Sequence, residues 1–166
     1  VVVGAGMEYL LSLLAPLLPG KTAVENPGYQ RAKQVLENNG VACCCLPVDA
    51  DGLSVEALSG SGAAVCYVTP SRQFPTGVTM PAGRRTELLH WPSRCPGQRY
   101  IIEDDYDSEF SSVTRQIDTI YSLAPERVIY VNTFSKTLAP AMRTAYMVLP
   151  EELMAEYTRR LGFYSC

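Results

Sequence analysis

An α/β fold on a largely parallel sheet is the class this chain predicts, and two observations carry the expectation. Apolar runs rich in Val, Ile, Tyr and Cys recur along the 166 residues. Stretches with helical spacing fall between them, and that regular beat argues for crossover units. A chain of this size suits one domain and buries roughly 68–70% of its unfolded surface, enough for one core.

The elements follow in order. Val1-Val2-Val3 reads as a strand, then comes the turn Gly4-Ala5-Gly6-Met7 and a helix over 7–18. Further strands are expected at 22–25, 42–46, 64–68, 100–103, 128–131 and 145–149. Helices are expected at 29–39, 81–90 and 151–161, with a short helical turn at 54–58. The second helix closes on Asn38-Asn39-Gly40, a good C-terminal cap, and the 81–90 helix opens with Pro81 in its first turn. No repeat or low-complexity segment interrupts the pattern. The start without methionine, within a strand, and the end at Tyr164-Ser165-Cys166 just after a helix give the expectation of a fragment.

Charge and composition narrow the function classes. The net charge of -3 comes without a basic stripe or polybasic tail, so nothing within this chain recommends a nucleic-acid surface. The longest apolar stretch, 9–18, falls short of the roughly 20 residues of a membrane span, and Pro16 and Pro19 interrupt or close it. The first residues lack the charged start of a signal peptide. Of six cysteines, Cys43, Cys44 and Cys45 are adjacent in a strand and alternate faces, so they cannot converge on one metal. Cys66 lies in another apolar strand, and Cys95 and Cys166 are isolated. All six read as buried small hydrophobes in a reducing cytoplasm.

In such sheets functional residues gather at the carboxyl ends of the strands. The most informative strand end is Thr133-Phe134-Ser135-Lys136-Thr137-Leu138, with Arg143 seven residues after the lysine. It suits an aldehyde cofactor carrying a phosphate: Lys136 for a Schiff base, and Thr133, Ser135 and Arg143 for the phosphate. Pro140 keeps the intervening segment a loop. At Gly4–Met7 a helix start offers free amides and a partial positive charge to a phosphate. After the 22–25 strand, Tyr29 suits stacking on an aromatic ring, and Arg31 suits a substrate carboxylate or an acidic neighbour. After the 100–103 strand comes the acidic run 103–109, open to a divalent metal or to a cationic partner. The lysine loop favours the second reading, with an aspartate keeping a pyridine nitrogen protonated.

Three motifs then carry a resemblance. They are residues 68–85 (Val-Thr-Pro-Ser-Arg-Gln-Phe-Pro-Thr-Gly-Val-Thr-Met-Pro-Ala-Gly-Arg-Arg), 101–110 (Ile-Ile-Glu-Asp-Asp-Tyr-Asp-Ser-Glu-Phe) and 133–143 (Thr-Phe-Ser-Lys-Thr-Leu-Ala-Pro-Ala-Met-Arg). Together they resemble the large domain of the pyridoxal 5'-phosphate (PLP)-dependent aminotransferases of fold type I, and more narrowly the MocR/GabR class of bacterial regulators. In that class a winged helix-turn-helix is fused to an aminotransferase-like, effector-sensing domain. The resemblance runs over nearly the whole chain and implies a three-layer α/β/α sandwich.

It also implies roles. Lys136 matches the lysine that forms the internal aldimine, Asp104 the partner of the pyridine nitrogen, and Tyr106 the tyrosine bonded to the ring hydroxyl. Tyr29 matches the stacked aromatic. Gly6 and Met7 match the helix-start amides at the phosphate, joined by Thr133, Ser135 and Arg143, and Arg31 matches an effector-carboxylate position. Phe74 stands where ordinary aminotransferases carry an asparagine before Pro75-Thr76-Gly77. That departure favours a sensor over a fast transaminase, with Gln73 as a possible replacement. The family's small C-terminal domain supplies the main substrate-carboxylate arginine, and N-terminal segments supply a phosphate contact across the dimer. The expectation is therefore a partial PLP-binding large domain over 1–166, without the winged helix-turn-helix or the small domain, with residual or no cofactor binding and negligible transamination in isolation. The intact protein is expected to be a cytoplasmic homodimer that senses an amino acid or amine; a catalytic class I/II aminotransferase is the alternative.

Other residues read as structural: His90 as a cap or packing residue, Arg84 and Arg85 as a solvated helix face, Tyr146 and Met147 as core. Glu103, Asp105, Asp107 and Glu109 read as capping and solvating the loop around Asp104.

Overall fold

The computed structural model describes residues 1–94, 96–106, 118–134 and 143–163. An eight-stranded sheet runs through it in the order β1-β8-β7-β6-β5-β2-β3-β4. The strands are β1 (Val2–Gly4), β2 (Thr22–Asn26), β3 (Cys43–Asp49), β4 (Gly52–Leu53), β5 (Val65–Val68), β6 (Tyr100–Asp104), β7 (Val128–Thr133) and β8 (Ala145–Val148). The pairs β2–β3, β2–β5, β5–β6 and β6–β7 are parallel. β8 is antiparallel to both β7 and β1, so β1 runs in the same direction as β7. Turn-compatible Asp49-Ala50-Asp51-Gly52 folds the tiny β4 back on β3, with Gly52 at φ 104, a hairpin the apolar pattern was too short to reveal.

Helices cover both faces. On one side lie α1 (Met7–Leu14), α2 (Gln30–Asn38) and α6 (Glu151–Leu161), whose buried residues join Val24, Val65, Tyr67, Tyr100, Ile102, Ile129 and Val131 of the sheet. On the other lie α3 (Val55–Gly60), α4 (Ala82–Arg94) and α5 (Ile120–Leu123), packed on Ala23, Cys66, Val68, Ile101 and Val128. Alternation along each strand separates the two sets, as a pleated sheet buried on both faces demands. The architecture is the expected α/β/α sandwich with a mostly parallel sheet.

Met7, Leu10, Leu11 and Leu14 recur at helical spacing and form the buried stripe of α1. Leu10, Leu11 and Leu14 are fully buried, and truncating any one to alanine costs about 2–5 kcal/mol. The helix is shorter than 7–18 because Pro16 lacks an N–H, and Ala15–Leu17 tightens into a 3-10 turn. α2 ends as its sequence anticipates. Gly40 is at φ 83, Val41 N–H donates to Leu36 C=O at 3.0 Å, and Gly40 N–H to Glu37 C=O at 3.0 Å. α4 runs on through Pro92, four residues beyond the expected end, so exposed His90 lies inside the helix and caps nothing. α5 was not anticipated; Thr119 caps it, accepting from Ser122 N–H at 3.1 Å.

Three side-chain expectations are corrected. Arg85 does not belong to a solvated face. It is 2% exposed and donates to the carbonyls of Met80, Pro70 and Asp118 at 2.9–3.1 Å, with Glu103 at 3.8 Å. Arg84 pairs with Asp49 at 2.9 Å. Cys66 is buried, but Cys43 and Cys44 are half-buried and Cys45 is exposed, because β3 lies one strand from the sheet edge. Tyr146 is half-buried beside Tyr130 and Phe134, whereas Met147 is core. Among the described residues no helix is long and apolar enough to cross a membrane.

Candidate functional site

A cavity of about 330 Å³ opens at the carboxyl ends of the parallel strands, within the range of small-molecule sites, roughly 300–1,000 Å³. Gly6, Met7 and Glu8 enter it from the start of α1, and Tyr29 from the loop after β2. Thr69 and Phe74 line it after β5, Asp104 and Tyr106 at and beyond the end of β6, Thr133 at the end of β7, and Arg143 just ahead of β8. Seven of the expected cofactor residues, Gly6, Met7, Tyr29, Asp104, Tyr106, Thr133 and Arg143, therefore meet around one space. Ser135 and Lys136 lie outside the described residues, as do Pro140, Asp107, Glu109, Cys95 and Cys166.

The β6 alternation decides which carboxylate faces the cavity. Ile102 and Asp104 share the face of α1, while Ile101 and Glu103 share the opposite one. Asp104 is 4% exposed; Tyr67 Oη donates to its Oδ2, and its Oδ1 has no partner among the described residues. Desolvation pushes its carboxyl up to about 7, helped by the negative charge of Asp105, Glu25 and Glu8 and opposed by the Tyr67 hydrogen bond. Glu103 instead accepts from the Ile120 and Tyr121 N–H groups at 2.9 and 2.8 Å, placing a carboxylate at the start of α5. Asp105 accepts from the Tyr130 hydroxyl at 2.9 Å. Glu103 thus caps a helix, α5, but neither carboxylate solvates the loop around Asp104 as expected, because both are buried.

The lining of the cavity also carries a cation, Arg143. Gly6, at φ 102, precedes α1, and a side chain there would begin 3.2 Å from Arg143 Nη2. Glycine suits this φ without strain, and a Cβ there would press the guanidinium back by a few tenths of an ångström. Glu8 joins this corner: its Oε2 is 3.0 Å from Arg143 Nη2, and its Oε1 accepts from the Tyr29 hydroxyl at 3.0 Å and lies 3.7 Å from Arg31 Nη1. Burial disfavours ionisation of Glu8, but its own backbone N–H, Tyr29 and the two arginines outweigh that and hold the carboxyl below its usual value. Desolvation and Glu8 push the Tyr29 phenol up to about 12. Arg31 is largely exposed and does not line the cavity.

Tyr29 meets Phe74 edge to face, ring centroids 6.0 Å apart. Phe74 thus takes an aromatic place in the wall. Gln73 does not stand in for the missing asparagine: its side-chain amide donates to the Pro27 and Phe74 carbonyls at 2.9 and 2.6 Å, and its Oε1 accepts from the Thr76 hydroxyl at 2.6 Å. Tyr106 donates its hydroxyl to the Arg72 carbonyl at 3.0 Å.

Sequence reasoning missed Tyr67, Thr69, Glu25 and Glu8. Tyr67 was legible in principle, since in-register pairing of β5 with β6 sets it opposite Ile102 and two residues short of Asp104 on the same face. Glu25 is buried at the end of β2 and accepts from the Thr69 hydroxyl at 2.7 Å; desolvation pushes it up to about 7. Nothing in the strand pattern distinguishes it from a solvated strand end.

This arrangement defines the chain as having the fold of the PLP-dependent aminotransferase large domain of fold type I. The kynurenine aminotransferase of Pyrococcus horikoshii, solved in complex with PMP, superposes with a TM-score of 0.84 at 30% identity, over 94% of this chain and 41% of that one. LysN, the α-aminoadipate aminotransferase of Thermus thermophilus, gives 0.82 at 26% identity, over 95% and 43%. In sequence the chain matches the aminotransferase-like segment of MocR-class regulators. It is 38% identical over 157 residues to the uncharacterized HTH-type transcriptional regulator YdeL of Bacillus subtilis, covering 93% of this chain and 34% of that protein. It is 36% identical over 163 residues to the probable rhizopine catabolism regulatory protein MocR of Rhizobium meliloti (96% and 33%), and 36% identical over 152 residues to the pyridoxine biosynthesis regulator PdxR of Corynebacterium glutamicum (90% and 33%). The chain spans about a third of the length of these curated relatives. No family model matches it.

Proposed function

We propose that this chain is the PLP-binding part of the effector-sensing domain of a MocR/GabR-type transcriptional regulator, with Lys136 as the residue to which the cofactor aldehyde attaches. The observation that carries the reading is the pairing, in one cavity, of a buried carboxylate with an unpartnered Oδ1 at Asp104 and a cationic, glycine-floored corner at Gly6 and Arg143. A phosphorylated pyridine has a cation at one end and an anion at the other, so this donor set fits it. When bound, PLP supplies an aldehyde for amines and an electron-withdrawing ring. Asp104 would face the ring nitrogen, whose positive charge returns the carboxyl to its ionised form. The first-turn amides of α1, which lack intrahelical acceptors, would hold the phosphate together with Thr133, Ser135 and Arg143. Tyr29 and Phe74 would supply aromatic wall, and Tyr106 would serve the ring hydroxyl.

The relatives' names support a regulator over an enzyme. DNA contact would belong to a helix-turn-helix outside this chain, and the intact protein would be a cytoplasmic homodimer responding to an amino acid or amine, with Arg31 offered to its carboxylate. The test is borohydride reduction of the chain with excess PLP, followed by intact mass and peptide mapping. A phosphopyridoxyl adduct confined to Lys136, partial in yield because the isolated chain holds only residual cofactor, and lost in Lys136→Ala, is the expected result. Adducts spread over surface lysines such as Lys21 and Lys33, with Lys136 unmodified, would refute it.

A further inference from the structure

The anion corner of the cavity holds a carboxylate that cofactor binding does not require. Glu8 is the second residue of α1, and its side chain turns back over the first turn. It takes its own backbone N–H, the Tyr29 hydroxyl at 3.0 Å and Arg143 Nη2 at 3.0 Å, with Arg31 Nη1 at 3.7 Å. These are the donor types a phosphate monoester uses at a helix start: a first-turn amide and a guanidinium. In the lining of the same cavity, the buried Asp104 Oδ1 is unpartnered among the described residues.

Two anions cannot share one guanidinium edge and one amide at contact distance in a partly buried corner without strong repulsion. Resting on the cofactor-site reading, we propose that Glu8 is a tethered competitor for the phosphate-binding donors, so that its carboxylate and a bound phosphate exclude one another at Arg143. Glu8 thereby sets specificity. A dianionic phosphate, with three acceptor oxygens, outcompetes the tethered carboxylate, whereas a carboxylate ligand only equals it and gains nothing. Release of Glu8 also removes the acceptor of the Tyr29 hydroxyl, coupling phosphate arrival to the aromatic wall.

The test titrates inorganic phosphate, and separately acetate, into the 166-residue chain and its Glu8→Gln variant, following the amide signals of Gly6, Met7 and Glu8 and the Tyr29 ring signals by NMR. Glu8→Gln should bind phosphate roughly three- to tenfold more tightly, the scale of relieving a partly exposed ion pair and its hydrogen bond, and should gain acetate binding. In the wild-type chain phosphate should move the Tyr29 ring signals, a readout that stays decisive if the variant does not fold. Equal or weaker phosphate binding by Glu8→Gln, no binding by either protein, or wild-type binding with the Tyr29 ring unmoved overturns the proposal. Borohydride reduction with PLP separates the two readings. Phosphate that displaces Glu8 without labelling of Lys136 removes the cofactor assignment alone, and labelling of Lys136 with an indifferent Glu8→Gln removes the Glu8 assignment alone.

Discussion

Asp104 and Glu25 are carboxyl groups that the folded chain keeps out of water, and burial pushes each up to about 7. The folded state therefore holds these two protons more tightly than the unfolded chain, whose carboxyls titrate near ~4. The sign follows from linkage: their contribution to stability is complete below about pH 4 and is lost as pH rises to about 7. Glu8 and Asp49, held low, act in the opposite sense but only below that window. The expected outcome is a lower urea midpoint at about pH 8 than at about pH 5. Asp104→Asn, which keeps an acceptor for Tyr67 and removes the charge, should flatten that slope and raise the midpoint at the higher pH; a midpoint that falls would contradict the assignment.

At the scale of elements, the β6 end joins three segments through Arg85. Its guanidinium reaches carbonyls after β5, before α4 and before α5, and faces Glu103, which itself starts α5. Arg85→Met should cost about 3–5 kcal/mol by urea unfolding, because it removes the cation facing a buried carboxylate and takes a donor from the Met80 and Asp118 carbonyls; a loss under about 1 kcal/mol would mean that water replaces it. Strand and helix order were legible because the period changes cleanly from about 2 to about 3.6, and the Gly40 cap because αL geometry selects glycine. The β3–β4 hairpin and α5 were not, because β4 and α5 are only two and four residues long. The arginines of α4 were misassigned because adjacent charged residues on an isolated helix look alike, and only the neighbouring loops distinguish the buried one. The cavity-lining residues Tyr29, Asp104 and Arg143 were legible as strand-end residues. Glu8 was hidden because an acidic residue in a first helical turn is commonplace and says nothing about which arginines will reach it.

At the scale of the molecule, two apolar layers share one sheet. Trp91, the single tryptophan, belongs to the α3–α4–α5 layer, while α1, α2 and α6 fill the other. Because successive residues of the same strands serve both layers, neither can come apart alone. Urea unfolding followed by Trp91 fluorescence and by far-UV circular dichroism should give coincident curves, and a separate early transition in either would show independent layers. The sheet also joins its outermost partners late, since Val2 pairs with Met147 and Gly4 with Ala145. On a ribosome β1 emerges before β8 and waits for it, since β8 is the strand that separates it from β7. Gly6 and Glu8 follow β1, and Arg143 shortly precedes β8, so the anion corner is assembled only when this seam closes. A phosphate-bearing ligand held at that corner would stabilise only molecules in which β1 and β8 have paired.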